Sequence, residues 1–492
     1  MIRKNALPAK DAETEKLIAR YEAMKAENKS IYFDSDQLSA IAECYAMDRQ
    51  FEAAQEVISY GLNLHPESSE LLVQQAYLFL DTKQFEKAKL VLHSISDPTD
   101  YSVKLLKAEI LINEEKVEEA DELLATLDEC AKEDLFMLLE IAYLYIELGY
   151  PEKAITWLEK GLGMFKEEEG FLAAVADCYC SVGNLEKAIY FYNKAIDQNP
   201  YSAAHWTGLA KCYFTGQTYD KAIEAADFAL AANDTYGEAY VIKAHSLFHL
   251  DNREEAIKEY EKALAHKGLS PEFAYLFIGL AYSENEEYEA AVKYFNESIE
   301  YIKKNDKENS QLLIDLYNNQ AHCYARMEKF EKAHECCHAA LKLDPKNYES
   351  LLMQGRIYLD EDEIENYQEA VYSWDKAIMS CPEPETWAEI GDCYFSYGLY
   401  PKARLCFEHL IEQEPDVYAE DINPKLAFIC FAMRDHEGFE KYNSVSKKKI
   451  DLDKLLENAL ASDIIDEDSL CEIHSFIKEH EIHNRQAKKE SE

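Results

Sequence analysis

Small and large apolar residues recur along this chain at fixed spacing, set among polar turns. The clearest mark is an alanine in segments such as FEAA, FEKA and PEKA. It falls at Ala54, Ala88, Ala120, Ala154, Ala188, Ala222, Ala256, Ala291, Ala333, Ala370 and Ala403, with successive gaps of 34, 32, 34, 34, 34, 34, 35, 42, 37 and 33 residues. Twelve residues before most of these lies another small residue, as at Ala42, Ala176, Gly279 and Gly391. The exception is Gly355, fifteen residues before Ala370. Three residues beyond each of these small residues stands a large one, as at Tyr45, Tyr179, Tyr282 and Tyr394. Residues three and four apart share one face of a helix. The pattern therefore predicts two antiparallel helices per unit, close at the small residues, with the large side chain filling the space beside the contact. Pro66, Pro200, Pro345, Pro382 and Pro415 close several units, because proline cannot continue the hydrogen-bond ladder.

This spacing resembles the tetratricopeptide repeat (TPR). The unit from Glu169 to Ser202 carries it in Ala176, Tyr179, Ala188, Tyr192, Ala195 and Pro200, and the next unit adds the family's tryptophan as Trp206. The chain as a whole is similar to the long cytoplasmic TPR proteins of bacteria. The resemblance implies an all-α fold, a right-handed superhelix or α-solenoid of helix-turn-helix repeats. Residues 1–34 read as an N-terminal tail and capping helix (Asp11 to Lys29), and 35–419 as eleven units. Residues 420–449 read as a degenerate twelfth unit, which keeps Ala427 but has Phe439 for its second small residue. Residues 450–492 read as two closing helices, Leu452 to Ala461 and Ser469 to His480, and a tail. The polar stretch from Ile302 to Asn309 and the turn after Leu359 read as loop insertions.

Composition narrows the choice of function. Of 492 residues, 95 are acidic and 51 basic, a net charge of −44. A chain with 48% hydrophobic residues can bury a core, so it is no disordered polyanion. The charge argues against nucleic acid or an anionic membrane as partner, since both would repel it. The N-terminus lacks the apolar run of a secretory signal, and the longest membrane candidate, Leu426 to Met433, is far too short to span. A cytoplasmic location is expected. The 13 cysteines fit reduced thiols, and Cys44, Cys178, Cys212, Cys323 and Cys393 recur at one repeat position, which marks them as packing residues.

Two motifs invite chemistry. His334-Glu335-Cys336-Cys337-His338 is a literal H-E-x-x-H, in which two histidines one turn apart could hold zinc while the glutamate acts as base. That gives an alternative reading, a metal-binding protein or metal-dependent hydrolase with His334 and His338 as ligands. Against it, Phe330, Ala333, Ala340 and Pro345 keep the repeat register through the motif, and spacing points to no third ligand. The acidic turn Asp360-Glu361-Asp362-Glu363 lacks the ligand order and glycine of an EF-hand loop. No phosphate-binding loop or nucleophile motif is found. The chain is expected to be a non-catalytic scaffold or adaptor without a cofactor.

The resemblance implies that the first helix of each unit lines a concave groove. In the first five units those positions offer Asp36, Glu43, Glu70, Asp81, Glu109, Glu147 and Asp177, with Tyr77 and Tyr143. Later units offer Lys211, His245, His249, His322, Arg326 and Arg356 beside Phe214, Phe248 and Asn318. These nine residues form a candidate site for a protein or peptide ligand with acidic residues or a free carboxylate. The competing reading is that the cations pair with acids on neighbouring helices. The carboxylate clamp by which some TPR proteins hold chaperone tails is not matched, because Lys211, Asn318, Asn319, Arg326 and Arg356 are spread over several units.

Overall fold

A computed structural model describes residues 12–27, 31–127, 131, 133–305, 310–361 and 366–446. The closing helices expected after residue 450, the end of the 302–309 insertion and residues 362–365 of the acidic turn lie outside the described residues. Those that are described form 25 helices and no strand. One helix, Ala12–Glu27, precedes twelve helical hairpins. The chain divides into two compact bodies, Met1–Leu269 and Ser270–Glu492.

The first body holds the leading helix and hairpins one to seven. Their first helices are Ser35–Met47, Ser69–Asp81, Tyr101–Asn113, Leu135–Glu147, Glu169–Ser181, Ala203–Thr215 and Gly237–His249. Side-chain caps start many of them. The Asp34 side chain accepts from the backbone N–H of Gln37 at 2.9 Å, and its own backbone N–H donates to the Gln37 side chain, the reciprocal bond of a capping box; Ser68, Asp100, Asp134 and Ser202 each cap their helices through a side-chain oxygen. Each cap satisfies a helix N–H that would otherwise lack a partner. The repeated alanines are buried at the contact between helices, as at Ala42, Ala54, Ala176 and Ala188. One continuous core runs through hairpins three to six, from Leu105 to Ala226. At the N-terminal end, Tyr21 and Met24 of the leading helix cover Leu38 and Ile41, so this helix closes an otherwise bare apolar face.

The second body holds hairpins eight to twelve, with first helices Pro271–Glu284, Ser310–Arg326, Tyr348–Asp360, Pro384–Ser396 and Pro415–Ala432. Hairpin ten has a turn three residues longer than its neighbours, which sets the spacing at Gly355, and keeps the regular contact of a small residue with a large ring, as Gly279 does with Phe295 and Gly391 with Phe407. Its second helix, Asn366–Ser380, turns the whole Trp374 ring into the space that a side chain at 355 would fill. A Cβ there would lie 2.2 Å from Trp374 Nε1. The indole N–H donates to the Leu352 carbonyl at 3.0 Å, which fixes the ring. In hairpin twelve the first helix begins at Pro415, inside the eleventh unit as read from the sequence. A proline that closes one unit suits the first turn of the next helix, where no N–H is needed. Phe439 packs in the core with Leu426, Ala427 and Cys430, so the bulky replacement is accommodated.

Candidate functional site

The nine residues expected to line a groove fall into two groups, five in the first body and four in the second. In the first body, Phe214 lies in the last turn of its helix, with its ring centroid 6.0 Å from His245 and 5.6 Å from His249. His249 stacks on Tyr219 at 4.8 Å, and His245 Nδ1 lies 2.7 Å from the Tyr260 hydroxyl. Phe248 meets His249 edge-on and carries the Arg253 guanidinium over its face. Burial pushes the His245 imidazole down to about 4, and the neighbouring His249 adds to the effect. Lys211 is exposed and lies in the field of Asp177, a carboxyl raised by burial although Tyr192 donates to it. These rings mostly face one another, so the group is an aromatic cluster with Lys211 beside it.

In the second body the first helices of hairpins nine, ten and eleven wall a cavity of about 490 Å³. Asn318, Asn319 and His322 line it from hairpin nine, Tyr348 and Arg356 from hairpin ten, and Glu389 from hairpin eleven. Arg356 donates to Glu389 at 3.3 Å and to the Cys393 thiol at 3.3 Å, so this cation is paired across adjacent helices. Arg326 donates to the Tyr288 hydroxyl at 3.2 Å. His322 is held below its usual range by burial and then by Arg326, with Arg356 acting in the same direction. Asn318 is only 8% exposed. Its Oδ1 accepts from Ser350 Oγ at 2.8 Å, while its Nδ2 has no hydrogen-bond partner in the protein. Turning the amide over would leave the oxygen without a partner instead. A buried polar atom left in this state costs about 1–3 kcal/mol.

Reading the groove positions in the sequence missed Glu389 and Met353, which also line this cavity. Both lie two residues before a repeat's small residue, Gly391 and Gly355, as Asn319 does before Ala321. That shared register position is the signal by which they could have been found.

The H-E-x-x-H segment lies on Phe330–Leu343, the second helix of hairpin nine. His334 Nε2 sits 3.0 Å from Glu361 Oε1, and its ring packs against Tyr358 at 4.5 Å. Glu335 and His338 are exposed. Among the described residues no three histidine, cysteine or acidic side chains converge as metal ligands. The local geometry gives the metal reading no third ligand, and His334 is occupied by a side-chain pair.

Family models described as tetratricopeptide repeat match residues 314–347 and residues 137–167 and 274–310. A model described as anaphase-promoting complex, cyclosome, subunit 3 matches residues 181–263. The matches fall on hairpins whose register and packing are set out above. The chain is a tetratricopeptide repeat protein. Its architecture is that of a protein-interaction scaffold, in a family that is generally non-catalytic. Three solved structures illustrate the likeness. MamA shares 28% identity over 34% of this chain and 97% of its own, with a TM-score of 0.31. A TPR protein from Parabacteroides merdae shares 19% over 51% of this chain and 93% of its own, with a TM-score of 0.39. The Cut9–Hcn1 complex shares 14% over 83% of each chain, with a TM-score of 0.36. No curated protein matches the sequence. Among the described residues no helix of this TPR protein is long and apolar enough to cross a membrane.

Proposed function

We propose that this TPR protein is a scaffold that holds an extended peptide segment of a protein partner against hairpins nine to eleven. The observation that carries this reading is the polar cavity that Asn319, His322, Arg356 and Glu389 wall from three successive first helices. Such a wall suits a peptide main chain, whose carbonyl and N–H groups pair with polar side chains. Asp315 and Glu349, also in the wall, suit the main-chain N–H groups. An acidic side chain or terminal carboxylate on the segment competes with Glu389 for Arg356 and lies near His322. A bidentate guanidinium–carboxylate contact gives this end of the site its selectivity.

The test compares two variants by quantitative capture from lysate. Asn318→Leu combined with Arg356→Glu should lose the proteins that the wild-type chain retains. Glu122→Lys, on an outer helix of the first body, should keep them. Asn318→Leu alone removes an unpaired polar atom and should leave stability within about 1 kcal/mol of wild type. An unchanged set of captured proteins in the double variant would sink the proposal.

A further inference from the structure

We propose that Cys180 and Cys212 are a peroxide-reactive thiol pair, which oxidation converts into a disulfide that staples hairpin five to hairpin six. Cys180 lies in the last turn of Glu169–Ser181, the first helix of hairpin five. Cys212 lies in the last turn of Ala203–Thr215, the first helix of hairpin six. Cys180 packs against the core that contains Cys212, and the two thiols are hydrogen-bonded to each other. Thr215, one turn beyond Cys212 on the same helix face, also hydrogen-bonds Cys180. The two sulfurs therefore meet across adjacent hairpins, at a contact that side chains from one helix hold in place.

The two thiols differ in the way the chemistry requires. Cys180 is partly exposed, whereas Cys212 is fully buried. The Cys212 S–H donates to the Cys180 sulfur, and this bond does most to hold Cys180 below the usual thiol range. The Lys211 ammonium and Thr215 act in the same direction, against burial and the Asp177 carboxyl. The same bond, with burial, pushes Cys212 up. Tyr192, from the second helix of hairpin five, faces the cluster and donates to Asp177. Cys178, two residues before Cys180, is pushed up to about 12 by burial, which leaves it inert. An accessible thiolate thus has a resolving thiol in contact with it. The Cys180 thiolate attacks one oxygen of hydrogen peroxide. An S–O bond forms, the O–O bond breaks, and the departing oxygen leaves as water, carrying the proton that Cys180 gave up. The Cys212 sulfur then attacks the sulfenic sulfur of Cys180. The S–S bond forms as the S–O bond breaks, and the hydroxyl leaves as water with the Cys212 proton. In sum, two thiols and one peroxide give one disulfide and two waters, and the two electrons lost by sulfur reduce the peroxide. The pair lies in the other body from the peptide site proposed above and does not depend on it.

The experiment uses the full-length chain, reduced, freed of reductant and exposed to hydrogen peroxide at about pH 7. Free thiols are then blocked with iodoacetamide, and the tryptic peptides are read by mass spectrometry. The peptides that hold Cys180 and Cys212 should appear joined, and dithiothreitol should separate them. Cys178 and Cys180 share a tryptic peptide, so Cys178→Ala decides which sulfur is joined, and the joined peptide should persist in it. Cys212→Ala should leave Cys180 without a resolving thiol and raise its labelling by dimedone, a sulfenic acid trap, about fivefold or more. Alkylation of reduced Cys180 in Cys178→Ala should be half-maximal below about pH 8.5, the usual thiol value. Adding Cys212→Ala should move that midpoint up, and circular dichroism checks that both variants keep the fold. In the oxidised protein, amides of hairpins five and six should exchange about tenfold more slowly or better, since a cross-link restrains local opening. A joined peptide that vanishes in Cys178→Ala, or sulfenic acid that persists at Cys180 in the wild type with no joined peptide, would overturn the proposal. An alkylation midpoint that Cys212→Ala leaves in place, or exchange that oxidation does not slow, would overturn it as well.

Discussion

At the residue scale, one backbone position recurs in almost every hairpin. The turn between paired helices places a residue at positive φ: Gly149, Gly183 and Gly398 where the sequence supplies glycine. Elsewhere Arg49, Lys83, Glu115, Gln217, Asp251, Glu286, Glu328 and Arg434 adopt the same conformation with a side chain. An L-residue held there costs about 1 kcal/mol relative to glycine. Nothing lies within 4 Å of a Cβ at Gly183, so only the backbone decides the effect. Gln217→Gly should therefore raise stability, and Gly183→Ala lower it, each by about 0.5–1 kcal/mol in urea titration. Opposite signs would show that the turn is not fixed in this conformation. A second prediction concerns His245. Its proton affinity is depressed from 6.5 to about 4, first by burial and then by His249. The unfolded chain then takes up the proton first as the pH falls. Stability present above pH 6.5 is lost progressively toward pH 4, by about 1–3 kcal/mol in all. His245→Asn should show a smaller fall in denaturation midpoint between pH 7 and pH 5 than wild type. An equal fall would place the acid sensitivity elsewhere, for example at His205 or His322, which burial also holds down.

At the element scale, the closeness of paired helices is set by what faces the small residue. Gly355 faces the ring of Trp374, and a methyl group there must push the indole off its bond to Leu352. Gly355→Ala should cost about 1–3 kcal/mol. Nearest-neighbour coupling predicts where this appears: amides of hairpins nine to eleven lose hydrogen-exchange protection, while those of hairpins one to four keep theirs. Protection lost evenly along the chain would contradict the nearest-neighbour picture. The helical pairing was legible in the sequence because each register position is written many times, so Ala176, Tyr179 and Ala188 confirm one another across units. Hairpin ten was legible only as an exception, since three added residues in its turn put Trp374 nineteen residues beyond Gly355, where Phe295 and Phe407 lie sixteen beyond Gly279 and Gly391. The candidate site was less legible. The position of Arg356 on the first helix of its hairpin followed from the register, but its pairing with Glu389 depends on a rotamer and on a helix one unit away. Asn318 could be named as a groove residue, yet its unpaired amide is a property of burial that no spacing reveals.

At the scale of the whole molecule, the question is what an excess of 44 negative charges does to stability. Ion pairs such as Lys153 with Asp121 and Lys402 with Asp375 oppose it, but their side chains are more than a third exposed. Pairs of that kind contribute about 0–1 kcal/mol each, and salt weakens them. Salt also screens the repulsion among unpaired carboxylates, of which there are many more, since acidic side chains outnumber basic ones by 95 to 51. At low ionic strength the Debye length is about 30 Å, long enough for carboxylates on several hairpins to act on one another, and at 0.1 M it shrinks to about 10 Å. Repulsion should therefore outweigh pairing, and the melting temperature should rise by several degrees between about 0.01 M and about 0.5 M sodium chloride. A melting temperature that falls with salt would mean that the pairs, not the excess charge, govern the surface.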